Sequence, residues 1–291
     1  MAATQGCGKV RAPMPILSLQ SSVVFGHVGN SVAALPLMRM GHEVWRLDTV
    51  AFSNHPGHGS FSGRVVPPAE LAELLRGLKA LGVLKDCRAV LSGYLGEAGT
   101  AAVVADAVSS VKSANPDAIY LLDPVIGDAG RVFVRPGVPE AISEKLLPLA
   151  DLCTPNVFEL EQLTGMTVID LESARVAAHA LRRRGPRTVV LTGLPENGRI
   201  STIAVTNKGM WRVTAPRVDR PLNGTGDLIS ALILGHYLDS KSIAEALRLA
   251  ASGMAEAIAA TVAAGRRELA LVPALDRIVH PPKPIEVETL D

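Results

Sequence analysis

The sequence predicts an α/β fold, a mostly parallel sheet covered by helices on both faces. Short apolar runs alternate with longer amphipathic segments along most of the chain, the pattern of repeated β–α units. The 291 residues are 48% hydrophobic and 20% charged, enough apolar material for a large buried core. Polar clusters stand just after several of the apolar runs, at the sheet edge where open α/β folds bind ligands.

Taken in order, the runs at 15–19, 43–47, 88–91, 118–122, 151–153 and 187–191 read as strands. Between them, segments near 30–40, 69–81, 98–113, 138–147, 156–164 and 172–184 have helical spacing. Arg182, Arg183 and Arg184 close the last of these before Gly185-Pro186, where cations suit a helix C-terminus and remain solvated. Segments 200–206 and 210–214 flank Asn207-Lys208-Gly209 and predict a hairpin. Helices resume over 226–238 and 242–263. With no break in composition, no repeat and no low-complexity tract, residues 15–291 read as one domain. Residues 1–14 hold Gly, Pro and Lys without an apolar core, so they read as a disordered tail and not a signal peptide.

Acids and bases nearly cancel, 28 against 29, which argues against a nucleic-acid-binding surface. Cys7, Cys87 and Cys153 are odd in number and lack CxxC spacing, so neither a disulfide framework nor a zinc site is expected. No apolar run reaches the roughly 18–20 residues a membrane span needs. A cytoplasmic protein with no membrane partner is the expectation.

The most informative stretch is Asn223-Gly224-Thr225-Gly226-Asp227, followed at once by an apolar helical run. Two glycines permit a tight bend, and the helix start aims free N–H groups and partial positive charge at one point. Such an anion hole suits a transferring phosphoryl group, and Asp227 beside it could accept a proton from an attacking hydroxyl. Burial would raise the Asp227 pKa and the helix terminus would lower it; the dipole is expected to keep it ionised. An ordinary N-cap is the structural alternative.

Other polar residues follow the predicted strands: Ser21 the first, Ser92-Gly93-Tyr94 the third, Asp123-Pro124 the fourth, Thr154-Pro155-Asn156 the fifth and Thr192-Gly193 the sixth. Asp123 and Glu159 are candidate ligands for Mg²⁺, which leans on few carboxylates plus substrate phosphates; an Asx-turn and a helix first-turn acid are their plain alternatives. Residues 20–30 read as a βα loop whose small side chains permit close ligand approach, and 52–59 as a Gly/His-rich covering loop, not a metal site.

Together, Gln20-Ser21 through Gly29-Asn30, Phe52-Ser53-Asn54-His55, Ser92-Gly93-Tyr94, Asp123-Pro124-Val125, Thr154-Pro155-Asn156 and Gly224-Thr225-Gly226-Asp227 resemble the pyridoxal kinase family. The resemblance spans about residues 15–280. It implies a ribokinase-like three-layer α/β/α fold without a large lid, phosphorylation of the 5′-hydroxymethyl of pyridoxal by ATP, and a homodimer. Pyridoxine and pyridoxamine are further substrates it implies. By the same resemblance Asp227 is the base, and the amides of Gly224, Thr225 and Gly226 hold the phosphoryl group. Ser21 bonds the pyridine edge, while Val28, Phe52 and Tyr94 line the ring pocket beside His55, Pro56 and Gly57. Asp123, Thr154, Asn156, Glu159 and Thr192 surround the ATP phosphates and Mg²⁺, and Ala215, Pro216, Arg217, Val218 and Asn223 lie toward adenine. Relatives commonly carry threonine where Pro56 stands; proline offers neither hydroxyl nor N–H. A hydroxymethylpyrimidine kinase and a non-catalytic vitamin B6-binding protein are the alternatives, and a need for K⁺ is left open.

Overall fold

The computed structural model describes residues 14–290, so the tail expected over 1–14 lies outside the described residues except for Met14. The first half contains β1 (Ile16–Phe25), α1 (Asn30–Arg39), β2 (Val44–Asn54), β3 (Gly63–Val65), α2 (Pro68–Leu81), β4 (Ala89–Ser92), α3 (Thr100–Ala114) and β5 (Ile119–Leu122). A small hairpin follows, β6 (Gly127–Asp128) and β7 (Arg131–Val132), then α4 (Val138–Ala141), β8 (Leu152–Cys153), α5 (Val157–Thr164) and α6 (Leu171–Arg182). The second half continues with β9 (Thr188–Glu196), β10 (Arg199–Val205), β11 (Met210–Pro216), α7 (Thr225–Ser240), α8 (Ile243–Ala263), α9 (Leu271–Val279) and β12 (Glu288–Leu290).

One ten-stranded sheet runs in the order β12-β11-β10-β9-β8-β5-β4-β1-β2-β3. The six strands from β9 to β2 are mutually parallel, and antiparallel strands close both edges. Alternation along the strands feeds two cores. Leu17, Val90, Tyr120 and Val189 face one way, onto α2 to α6. Ile16, Leu91, Leu121 and Val190 face the other, onto α1, α7, α8 and α9. α7 is buried on nearly every side from Leu228 to His236, which explains an apolar run with no polar face.

Several boundaries differ from the sequence reading. β1 does not stop at Leu19 but runs through Ser21 to Phe25, with an irregularity between Gln20 and Ser22. Its β-branched end pairs with β2 alone, Val23 opposite Phe52 and Phe25 opposite Asn54, while β4 leaves off at Ser92. β1 and β2 therefore project past the sheet as a ribbon, and Phe52 lies in a strand instead of a loop. β9 likewise extends, placing Thr192 and Gly193 inside it. The helix expected over 138–147 breaks into α4, a π turn at Ile142–Leu146 and a 3₁₀ turn at Leu147–Leu149, where Pro148 has no N–H to continue the ladder. Among the described residues one helix, the 21-residue α8, is long and apolar enough to cross a membrane by length and composition alone. It packs against α7, α9, β10 and β11, so its apolar character is accounted for by the layer it forms.

Candidate active site

The sheet's topology reverses between β1 and β4, from which the chain progresses outward in opposite directions. That switch point is where a crevice opens beyond the strand ends. α7 begins at the same end of the molecule, and the two glycines before it serve different purposes. Gly224 caps the helix with φ 81°, a left-handed conformation, and a Cβ there would strike the His27 carbonyl oxygen. Gly226 has an ordinary φ, and a Cβ on it would enter open space. The first-turn amides of α7 lack intrahelical partners and border that space.

Asp227 lies deep at this terminus while keeping some solvent contact. Burial raises its pKa, and a hydrogen bond from the Gly29 N–H pulls it back only in part. Gly29 is itself constrained, with φ 52°, and a Cβ would run into the carbonyl and hydroxyl oxygens of Ser21. Ser21, Gly29 and Asp227 therefore form one packed line.

Next to this terminus, the carboxyl end of β5 delivers Asp123. It is 4% exposed, and its Oδ2 has no hydrogen-bond partner. Burial, then the nearby Glu159 and Asp227, push its pKa well above the usual carboxylate range; the Ser230 hydroxyl opposes them. Glu159 is engaged differently. Its Oε1 accepts the Ile126 N–H at 3.0 Å, and its Oε2 accepts the Asn156 N–H at 3.0 Å in a capping box that starts α5. Burial still pushes its carboxyl up to about 8. Asp123 is therefore the acid with a free coordination edge, and Glu159 shapes the loop beneath it. Among the described residues no three His, Cys, Asp or Glu side chains gather as a metal cage. The free Asp123 oxygen, completed by substrate oxygens, suits a hard cation such as Mg²⁺.

Thr154 bonds the Ser230 hydroxyl at 2.8 Å, and Thr192 bridges the backbone at Asn156. On the other side of the switch point, Val23, Val28, Val50 and Phe52 form a separate apolar cluster with Val65 and Tyr94 packed against it. Val28, Phe52 and Tyr94 are thus brought together, close to Ser21. His55 caps a 3₁₀ turn at Pro56–His58 by accepting the Gly57 N–H at 3.1 Å, and Pro56 suits the first position of that turn. Ala215 and Pro216 end β11, with Arg217 and Val218 exposed just beyond.

This arrangement has close counterparts among known proteins. The chain is 46% identical over 273 residues to the pyridoxal kinase PdxY of Rubrobacter xylanophilus, covering 92% of this chain and 94% of that one. It is 48% identical over 280 residues to the pyridoxal kinase PdxY of Deinococcus radiodurans, with 92% and 94% covered. The chain belongs to the pyridoxal kinase family. A profile of the phosphomethylpyrimidine kinase family also matches residues 72–271. The fold superposes on the pyridoxal kinase of Leishmania donovani, solved with ADP and pyridoxamine, at a TM-score of 0.91 and 31% identity, covering 95% of this chain and 99% of that one. The pyridoxal kinase fold here is thus that of the ribokinase-like superfamily.

Sequence reasoning left out three residues of this candidate site. Ser230 is a buried polar residue three positions after Asp227, one turn along the same helix face, and that spacing was the available signal. Asn30 is 1% exposed and donates to Asp48 at 2.7 Å while accepting from Ser18 at 2.7 Å, which fixes the start of α1. Glu268 sits before α9, far along the chain, and no local pattern marks it.

Proposed function

We propose that this pyridoxal kinase transfers the γ-phosphoryl of ATP to the 5′-hydroxymethyl of pyridoxal, giving pyridoxal 5′-phosphate and ADP. The observation that carries it is the α7 terminus, with an open space over Gly226 bordered by amides and a deep carboxylate, Asp227. The substrate oxygen forms the new bond to phosphorus, the bond to the bridging oxygen of ADP breaks, and Asp227 takes the hydroxyl proton. A raised pKa makes Asp227 a better proton acceptor once ionised. The amides of Gly224, Thr225 and Gly226 oppose the charge on the moving phosphoryl group.

Ser21 meets the pyridine edge, with Val28, Phe52 and Tyr94 against the ring and His55, Pro56 and Gly57 over it. Asp123 would hold Mg²⁺ through its unpartnered oxygen, with Glu159, whose oxygens accept backbone N–H groups, shaping the loop behind it. When bound, Mg²⁺ neutralises β- and γ-phosphate charge. Thr154, Asn156 and Thr192 lie on the phosphate side, and Asn223 and 215–218 toward adenine. Residues 15–291 act as one kinase domain. The exposed apolar end of β1, with Val24 at 90% and Phe25 at 62%, supports a homodimer. Free buried Cys87 and Cys153 support a reducing, cytoplasmic compartment.

The phosphomethylpyrimidine kinase profile favours hydroxymethylpyrimidine as a second candidate substrate. Turnover of pyridoxal, pyridoxine, pyridoxamine and hydroxymethylpyrimidine is compared with ATP and Mg²⁺, in K⁺ and in Na⁺, by ADP release and by pyridoxal phosphate absorbance. Faster pyridoxal turnover is expected. Faster hydroxymethylpyrimidine turnover would move the protein to the second reading, and binding without ADP release would make it a vitamin-binding protein. Asp227→Ala is expected to keep both substrates bound while kcat falls by about two to four orders of magnitude. Near-normal turnover in that variant removes Asp227 from the mechanism.

A further inference from the structure

Glu268 lies between α8 and α9, outside every motif noted above, yet its carboxylate receives donors from three separate segments of the site. Its Oε2 accepts the His27 N–H at 3.1 Å. Its Oε1 accepts the Asn223 side-chain amide at 2.8 Å and bonds the His58 Nε2 at 2.9 Å. The side chain is 12% exposed, and the backbone at Glu268 forms a parallel bridge with Asn223. A Cβ on Gly26 would collide with this carboxylate, so the glycine makes room for it. These three bonds, against the cost of burial, hold the Glu268 pKa below the usual carboxylate range.

Each tethered segment leads directly to a working part. Asn223 immediately precedes the Gly224 bend. His27 lies under Gly224, whose missing Cβ its carbonyl occupies, and two residues later the Gly29 N–H bonds Asp227. His58 ends the 3₁₀ turn that His55 and Pro56 begin over the apolar cluster. One carboxylate thus ties the phosphoryl side, the base and the cover of the ring pocket to each other.

We propose that Glu268 is a positioning residue for phosphoryl transfer, holding the 223–227 bend and the 55–58 turn in register with the 26–29 turn. The inference rests on the kinase reading, so wild-type turnover of pyridoxal with ATP is measured first; its failure would sink that reading and not the tether alone. Glu268→Gln keeps the size of the side chain but sets an NH₂ group against donors. The expected result is a folded enzyme with a modestly lowered thermal midpoint, still well above the assay temperature, and kcat/KM for pyridoxal down about tenfold to a hundredfold, the scale of a small misplacement of reacting groups. The pyridoxal KM is expected to rise, and His58→Ala is expected to add little when combined with Glu268→Gln, because both cut the same tether. Wild-type constants in Glu268→Gln would overturn the proposal. So would a fall in kcat with both KM values unchanged, the mark of a smaller active fraction, or fully additive losses in the double variant. Should Glu268→Gln not fold, His58→Ala and Asn223→Ala each remove one donor and leave the carboxylate. A raised KM in folded His58→Ala and Asn223→Ala supports the tether, and unaltered constants in both overturn it.

Discussion

The two glycines of the α7 terminus should respond to alanine in opposite ways. At Gly224 the added Cβ must adopt φ 81° and meets the His27 carbonyl. The left-handed conformation alone costs about 1–2 kcal/mol, before any backbone displacement. For a chain of this size 1 kcal/mol moves the thermal midpoint by about 2–4 °C, so Gly224→Ala should melt roughly 5 °C or more below wild type. At Gly226 there is no strain and no neighbour within 4 Å. Alanine there removes unfolded-chain entropy worth about 0.5–1 kcal/mol, so the midpoint should hold or rise slightly. Yet its methyl projects into the space assigned to the phosphoryl group, and a displacement near 1 Å is worth about a hundredfold in rate. Differential scanning fluorimetry and steady-state ADP release on both variants make the comparison. A folded Gly226→Ala enzyme with wild-type kcat would refute the placement of the phosphoryl group.

Ser21→Ala should raise the KM for pyridoxal about two- to tenfold, the worth of one neutral hydrogen bond, with kcat and the ATP KM little changed; a change confined to ATP would reverse the two pockets. Asp123→Asn should keep or raise the melting temperature, since it removes a buried charge, while turnover and its Mg²⁺ dependence are lost. Glu159→Gln should instead lower the melting temperature, because an amide cannot accept all the N–H groups that Glu159 caps. Equal melting shifts in the two variants would remove the distinction drawn between these acids. His236 is buried with Nε2 unpartnered, and burial holds its pKa down at about 4 despite Asp239 and Glu245, with His280 and His42 adding to the depression. Between about 4 and 6.5 the unfolded chain then binds more protons than the folded one, so stability falls as pH drops through that window. At 1.36 kcal/mol per unit, its loss at pH 4 is about 3 kcal/mol at most. His236→Leu should flatten the acid side of the urea-denaturation profile; an unchanged profile would exclude this histidine.

The sheet and most helices were legible because β–α alternation is written in hydrophobic period, and a buried helix such as α7 announces itself as an unbroken apolar run. What escaped was pairing. The end of β1, from Ser21 to Phe25, opens on two serines and runs into a glycine-rich stretch, so it looks like a loop until β2 supplies a partner across from Val23 and Phe25. The short strands β3, β6, β7 and β12 are two or three residues each and have no period to detect. Within the site, Asp123 could be located because it follows an apolar run at a turn, and Asp227 because it closes a glycine bend just before one. Ser230 and Glu268 could not: their meaning depends on which distant segments reach them.

The burial of Asp227 is a further case. A helix dipole can be read from the sequence around residue 227, but the desolvation that opposes it comes from everything packed above. Asp123, Glu159 and Asp227 are all raised by burial, and Asp123 is raised further by the other two. Three converging acids destabilise a folded core unless a cation answers them. Glu159 is answered internally, by backbone amides, and Asp227 partly, by Gly29. Asp123 keeps one oxygen unanswered. The unanswered carboxyl oxygen therefore lies at the end of β5, near the terminus of α7 that carries Asp227 and Ser230. In the proposed reaction a nucleotide phosphate entering between them would meet positive dipoles on one side and, with a divalent ion bound, a carboxylate on the other.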